Sequence, residues 1–140
     1  MIEKNNNGMQ KSISVTCVTS DGVNESYFDE KCIELNGNSQ RMLSEQMAAV
    51  NFRLRTSDIT YASDWHAAGD PTLLIILSGC IEIELRSGEI KRFSRGEMFV
   101  AEDYLAKGVI YNENKHGHRA KVIGSDQLQA LHLKLNRREA

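Results

Sequence analysis

The chain is short of most features that would place it in a class at a glance. It has no surplus of charge: 17 Lys and Arg face 19 Asp and Glu, a formal net charge of -2. Without a basic excess there is little to neutralise a phosphate backbone, which argues against nucleic acid as a partner. Long hydrophobic runs are missing too. The longest, Leu73 to Leu77, falls far below the roughly 20 apolar residues that cross a bilayer, so no membrane association is expected. Around Asn5, Asn6 and Asn7 the N-terminal stretch is polar where a secretory signal would be apolar, which points to a soluble cytoplasmic protein. Cysteine is sparse. Cys17, Cys32 and Cys80 are odd in number and match neither a metal knuckle nor a disulfide framework, so they read as reduced thiols acting as small hydrophobes. No repeat or charge block occurs, and only residues 1–11 are polar enough to be a flexible tail, leaving 12–140 as one domain.

What the chain does have is apolar content of 41% and charged content of 26%, ordinary for a chain that folds around a single core. Its dominant periodicity is two. Val50 to Arg55 and Ile81 to Arg86 alternate apolar and polar residues without a fault, as half-buried strands do. Further strands are expected at Ile13 to Thr19, Cys32 to Leu35, Glu89 to Phe93, Met98 to Ala101, Arg119 to Ile123 and Leu128 to Leu135, with Ser87-Gly88 as a tight hairpin. Leu73 to Leu77 is apolar on both faces and should be covered twice, which suggests a homodimer. Helix is scarce: Ser39 to Met47, with a Ser cap and Met42, Leu43 and Met47 in step, fits a helix or a loop wrapped on the sheets. The expected fold is therefore all-β, a jelly-roll sandwich or barrel with little helix.

From Asp64-Trp65-His66 to Gly79 the sequence resembles the first motif of the cupin superfamily, whose positions fall on His66, Ala68, Thr72 and Gly79. Alternate strand residues point to one side, so His66 and the positions two and six further on would converge inside a barrel. Only His66 keeps a ligand; Ala68 and Thr72 bring a methyl and a hydroxyl. The wider stretch from about Asp21 to Leu135 is similar to small single-domain bacterial cupins, through Trp65-His66, Leu77-Ser78-Gly79, Gly96-Glu97, Glu102-Asp103 and Gly117-His118-Arg119 in order. The second cupin motif opens at Gly96. Counting straight on puts Val109 at its histidine position, whereas matching Gly117-His118-Arg119 puts His118 there. The His118 alignment, which is preferred, inserts a segment carrying Tyr104, Lys107 and Tyr111 across the barrel mouth.

The resemblance implies a small-molecule-binding cupin barrel with His66 and His118 in one apolar cavity as acid/base groups and Glu102 as a further candidate. Trp65, Thr72, Leu74, Ile76, Tyr104, Lys107 and Tyr111 are the residues it suggests for ligand contact. A divalent metal, Fe, Mn, Ni or Zn, on His66 and His118 is an open alternative that the ligands missing at Ala68 and Thr72 count against; His116, two residues before His118 and so on the same face of a strand, is the third ligand it would use. Plainer readings stand beside these: Trp65 as packing, Glu102 and Lys107 as surface charge, His116 as a solvated loop residue, and Glu82 and Glu84 as the wet face of a strand. His132 alternates with Ala130 and Lys134, opposite Leu131, Leu133 and Leu135, and is expected at the surface. Three functions stay open: an isomerase, lyase or cyclase-type enzyme, a metal-dependent oxygenase, and a non-catalytic binding or sensing module. The resemblance names no substrate.

Overall fold

In the computed structural model, residues 11–136 are described; apart from Lys11, the expected N-terminal tail lies outside them. The alternating segments become eleven strands: β1 Ser12–Thr19, β2 Tyr27–Glu34, β3 Asn36–Asn38, β4 Arg41–Leu43, β5 Asn51–Ser57, β6 Thr72–Ser78, β7 Cys80–Leu85, β8 Ile90–Ser94, β9 Met98–Ala101, β10 His118–Val122 and β11 Leu128–Lys134. Six of them form one sheet in the order β2-β1-β9-β6-β11-β5, and three form a second in the order β10-β7-β8. The arrangement is a jelly-roll barrel, all-β, with no helix among the described residues. Among the described residues no helix is long and apolar enough to span a membrane.

The segment from Ser39 to Met47 is not helical. Its first half is the return strand of the β3–β4 hairpin, whose turn is closed by the Gln40 amide donating to Asn38 Oδ1 at 2.9 Å. A polar Asn-Ser-Gln turn captures the backbone before a helical hydrogen bond can form, and Leu43 and Met47 stay exposed.

Alternation determines which residues share a face, and register determines where that face looks. Across the large sheet Leu74 pairs with Phe99 of β9 and with His132 of β11, and Ile76 pairs with Ala130. These positions point inward, where Ile76, Phe99, Ile81, Ile83 and Leu128 form the core. Each such side chain, fully removed from water, contributes about 1.5–3 kcal/mol, and the Phe93 and Phe99 rings stack at 4.4 Å. Leu73, paired with Val100, faces outward and joins Val15, Cys17 and Met98 in a second apolar cluster. The run Leu73 to Leu77 is thus divided between both faces of one sheet.

At the β5 end of that sheet the ordinary pattern is reversed. Phe52 and Leu54 pair with Leu133 and Leu131 and look outward, 68% and 72% exposed. The polar alternates Arg53 and Arg55 look into the barrel with His132 and Ala130. This overturns the surface placement of His132. Glu82 also departs from its wet-face reading: it is buried on the outside of the small sheet beneath Arg92, at 3.0 Å, and Lys121, at 3.5 Å.

Candidate functional site

The site begins with a backbone contact. His66, on the connection before β6, and His118, at the start of β10, exchange N–H to O=C hydrogen bonds of 2.8 Å in both directions. Their rings consequently lie side by side with centroids 4.6 Å apart, tilted by 54°. His118, rather than Val109, is the residue facing His66; Val109 closes a turn with Ala106. The glycine before His118 makes the approach feasible. Gly117 has φ +84, and a Cβ there would lie 2.6 Å from the carbonyl carbon and oxygen of His66.

Each imidazole is held in one tautomer. His118 Nδ1 is 2.7 Å from Asp103 Oδ2, which also accepts from Ser26 Oγ at 2.7 Å, while Oδ1 accepts from the Ala68 amide at 2.9 Å. Burial pushes the Asp103 carboxyl up, but the hydrogen bond and charge of His118, with Ser26 and the Ala68 amide, hold it below its ordinary value. Asp103 is therefore a carboxylate, which can only accept, so the His118 nitrogen facing it, Nδ1, carries a proton, and Nε2 is the basic nitrogen whenever the ring is neutral. His66 Nδ1 lies 2.9 Å from the Asp64 carbonyl. A carbonyl can only accept, so this ring too is protonated at Nδ1 and basic at Nε2 when neutral.

Both rings border a cavity of about 160 Å³ whose walls are mostly apolar, with Leu74, Ile83, Phe99 and Ala101 among them. Its polar groups are Arg55, Tyr61, Thr72, His66, His118 and His132. Four of these, Arg55, Tyr61, Thr72 and His132, also line a larger open basin of about 700 Å³ together with Asn51, Arg53 and Lys134. His132 Nε2 is buried and has no hydrogen-bond partner among the described residues. Burial first, then the charges of Arg55 and Arg53, hold its pKa below the ordinary histidine value, so it is neutral at pH 7.

Of the ligand contacts expected from sequence, Thr72 and Leu74 line the cavity. Ile76 sits deeper, wholly buried in the core. Trp65 is not among the cavity's lining residues; its ring lies under Arg86 at 3.9 Å and Arg119 at 4.8 Å. The segment after Asp103 does not cross the mouth. Tyr104 packs where a Gly22 Cβ would be, the Ala106 amide donates to Gly22 O, Lys107 is exposed, and Tyr111 Oη donates to Trp65 O at 2.7 Å. Backbone partners in the β1–β2 loop draw this segment away from the barrel opening. Glu102 is engaged by Lys31 at 2.5 Å and Thr19 at 3.2 Å. Just past the end of β9, it is the next residue, Asp103, whose carboxylate reaches His118. Cys17 is buried with its thiol pushed up to about 11, first by burial and then by Glu102, consistent with an inert hydrophobe.

His116 is buried rather than solvated. Its Nδ1 accepts from the Asn112 amide at 2.9 Å and its Nε2 lies 2.8 Å from Val23 O, so neither nitrogen is left to bind a metal. Among the described residues no three His, Cys, Asp or Glu side chains come together as metal donors. With Asp103 turned to His118 and with Ala68 and Thr72 in the other motif positions, the donor set does not fit a divalent metal.

Arg55 and Tyr61 were not singled out from sequence, and His132 was expected at the surface. Their signal was present in the alternation: Arg53 and Arg55 share a face, as do His132 and Lys134. Nothing in the sequence showed that these polar faces, and not the leucine faces, turn inward.

No family model matches the chain, and no curated protein matches it. Solved structures do. A conserved protein of unknown function from Streptococcus pyogenes is 19% identical over 71% of this chain and 72% of its own, with a TM-score of 0.45. A cupin-2 domain protein from Shewanella frigidimarina is 17% identical over 66% of this chain and 81% of its own, TM-score 0.41. A cupin 2 conserved barrel domain protein from Rhodopseudomonas palustris is 12% identical over 99% and 83%, TM-score 0.44. By its own strand order the chain folds as a jelly-roll barrel, the architecture that the sequence resemblance to cupins implies.

Proposed function

We propose that the chain binds a small molecule at the barrel mouth and moves a proton on it, as an isomerase or lyase does. The observation that carries this is the pair of imidazoles 4.6 Å apart, one of them fixed by a buried carboxylate. Nε2 of His118 takes a proton from a carbon next to a carbonyl, and Asp103 stabilises the imidazolium that results. The electron pair left behind delocalises onto the carbonyl oxygen. A protonated His66 then returns a proton to the same carbon from its other side, which inverts it, or protonates a leaving group on the next carbon as the electron pair expels it. His118 is buried against the apolar wall of the cavity, whereas His66 stands at its exposed side, where it can exchange protons with solvent. The donor set does not support an oxygenase, and a binding module would share the cavity without the exchange.

The test is solvent deuterium exchange. A panel of 2-oxo acids and hydroxy ketones is incubated with the protein in deuterium oxide and followed by proton NMR. At least one member should lose its C–H signal. His118→Gln and His66→Gln should each slow that exchange by about 100-fold, the low end of acid/base contributions, while chelator treatment changes nothing. If a panel member binds and none exchanges in the parent protein, the sensing module is the better reading.

The apolar outer face suggests a second copy of the chain as its occupant. Phe52 and Leu54 lie on an edge strand, in register with Leu131, Leu133, Leu73 and Ile75, and an exposed apolar row of this kind marks an interface. Sedimentation at micromolar concentration should give twice the 15.8 kDa chain mass. Leu54→Asp should give the single mass with an unchanged circular dichroism spectrum. A monomeric parent refutes the dimer.

A further inference from the structure

We propose that the barrel takes a small organic anion, its carboxylate or phosphate held at the mouth by Arg53, Arg55 and Lys134 against His132, and its uncharged end beside His66 and His118. The inference rests on reading the His66–His118 cavity as the ligand site, and it adds the class of ligand.

The cations share one face by register. Lys134 pairs with Asn51 of β5 and Thr72 of β6, His132 with Arg53 and Leu74, and Ala130 with Arg55 and Ile76. All of these point into the barrel. Thr72, Leu74 and Ile76 grade from the rim into the core, so depth along β6 matches depth along β5 and β11. A charged group therefore meets the upper rows, and only an uncharged one suits the apolar wall below.

Nothing in the described residues neutralises this cluster. Elsewhere on the two sheets cations find acids: Lys31 with Glu102, Lys91 with Glu30, Arg92 and Lys121 with Glu82, and Arg119 with Glu84. Arg53, Arg55 and Lys134 have no such partner among the described residues, and no Asp or Glu lines the basin. Arg55 is oriented without being discharged. Its Nε donates to Ser57 Oγ at 2.9 Å and its guanidinium lies 4.8 Å from the Tyr61 ring centre. In a chain of net charge -2, three inward cations around a buried, unpartnered imidazole nitrogen form a site lacking its anion. The basin and the cavity share Arg55, Tyr61, Thr72 and His132, so one short molecule can reach from the cations to the histidine pair.

Succinate, inorganic phosphate and neutral succinamide are the probes. Each is titrated into the full chain while the ring signals of the four histidines are followed by NMR at low ionic strength. Succinate or phosphate should shift His132 and saturate, and the tighter of the two identifies the anionic group; succinamide should bind at least tenfold more weakly. A bound anion should also raise the pKa of His132. The charged groups facing that ring are Arg53 and Arg55 from β5 and Lys134 from its own strand, with Tyr61 alongside, whereas β6 offers only Thr72 and Leu74. Arg55→Gln and Arg53→Gln should each weaken anion binding about tenfold or more with the fold unchanged. Equal affinity for succinamide, failure of both anions to bind, or affinity indifferent to both arginine variants would overturn the proposal. Selective anion binding without deuterium exchange would sink the proton-transfer reading alone. Exchange on neutral ketones with no anion selectivity would sink only this one.

Discussion

Asp103→Ala is expected to destabilise the fold by about 3–5 kcal/mol, the range for stranding one partner of a buried ion pair, and to lower the melting temperature by about 10 °C or more for a domain of this size. Asp103 is fully buried and accepts from three groups at once: Ser26, the Ala68 amide and His118. Removing the carboxylate leaves all three donors without it in a dry interior. The loss should depend on pH in a defined direction. Burial raises the carboxyl pKa, but its hydrogen bonds and the charge of His118 bring the folded value below the ordinary one. The folded state then binds fewer protons than the unfolded state in acid, so this contribution is complete above the unfolded carboxylate value of about 3.9 and fades as pH falls through the folded one. Calorimetry from pH 7 to pH 3 should show the gap between parent and variant closing below about pH 4. A gap that stays constant over that range would remove the ionised Asp103 from the account.

Strand positions were legible because alternation is a local property. Ile81 to Arg86 and Leu128 to Leu135 read as strands for the reason that they are strands: a half-buried ribbon needs apolar residues at every second position. The direction of each face was not legible, because register and sheet order come from distant pairings such as β11 with β5 and β6. For β7 the apolar face is the inner one, with Ile81, Ile83 and Leu85 in the core. For β5 and β11 the same rule places Phe52, Leu54, Leu131 and Leu133 outside and puts Arg55 and His132 in the cavity. Helical spacing at Ser39 to Met47 was defeated by turn chemistry at Asn38. The loop after Asp103 was misplaced because sequence gives its length but not its backbone partners.

The reversed faces connect the two halves of the functional reading. A sheet with both faces apolar would give a barrel that binds nothing charged, and one with a polar outer face would have no surface for a second copy. Under the proposed function, turning the polar face inward at β5 and β11 alone would confine ligand recognition to one end of the barrel. That end is also where His66 and His118 meet, and Ile81 and Ile83 of β7 supply part of the apolar wall of their cavity.

Gly117→Ala should separate His66 from His118 and give the other large effect. At φ +84 an L side chain is already strained, which costs about 1–2 kcal/mol. The added Cβ would also lie 2.6 Å from the carbonyl carbon and oxygen of His66 and 2.9 Å from its nitrogen. Those atoms are backbone and belong to the paired bridge with His118, so relief requires the His66 segment to part from β10. Gly88, in the turn between β7 and β8, isolates the contribution of the contact: its φ is +90 and a Cβ there meets nothing within 4 Å. Gly88→Ala should therefore lower the melting temperature by only the conformational part. Gly117→Ala should lower it at least twice as far, shift the ring resonances of both histidines, and reduce deuterium exchange as severely as His66→Gln. If the two glycine variants melt together and the histidine resonances do not move, close backbone approach at Gly117 is not what holds the imidazole pair in place.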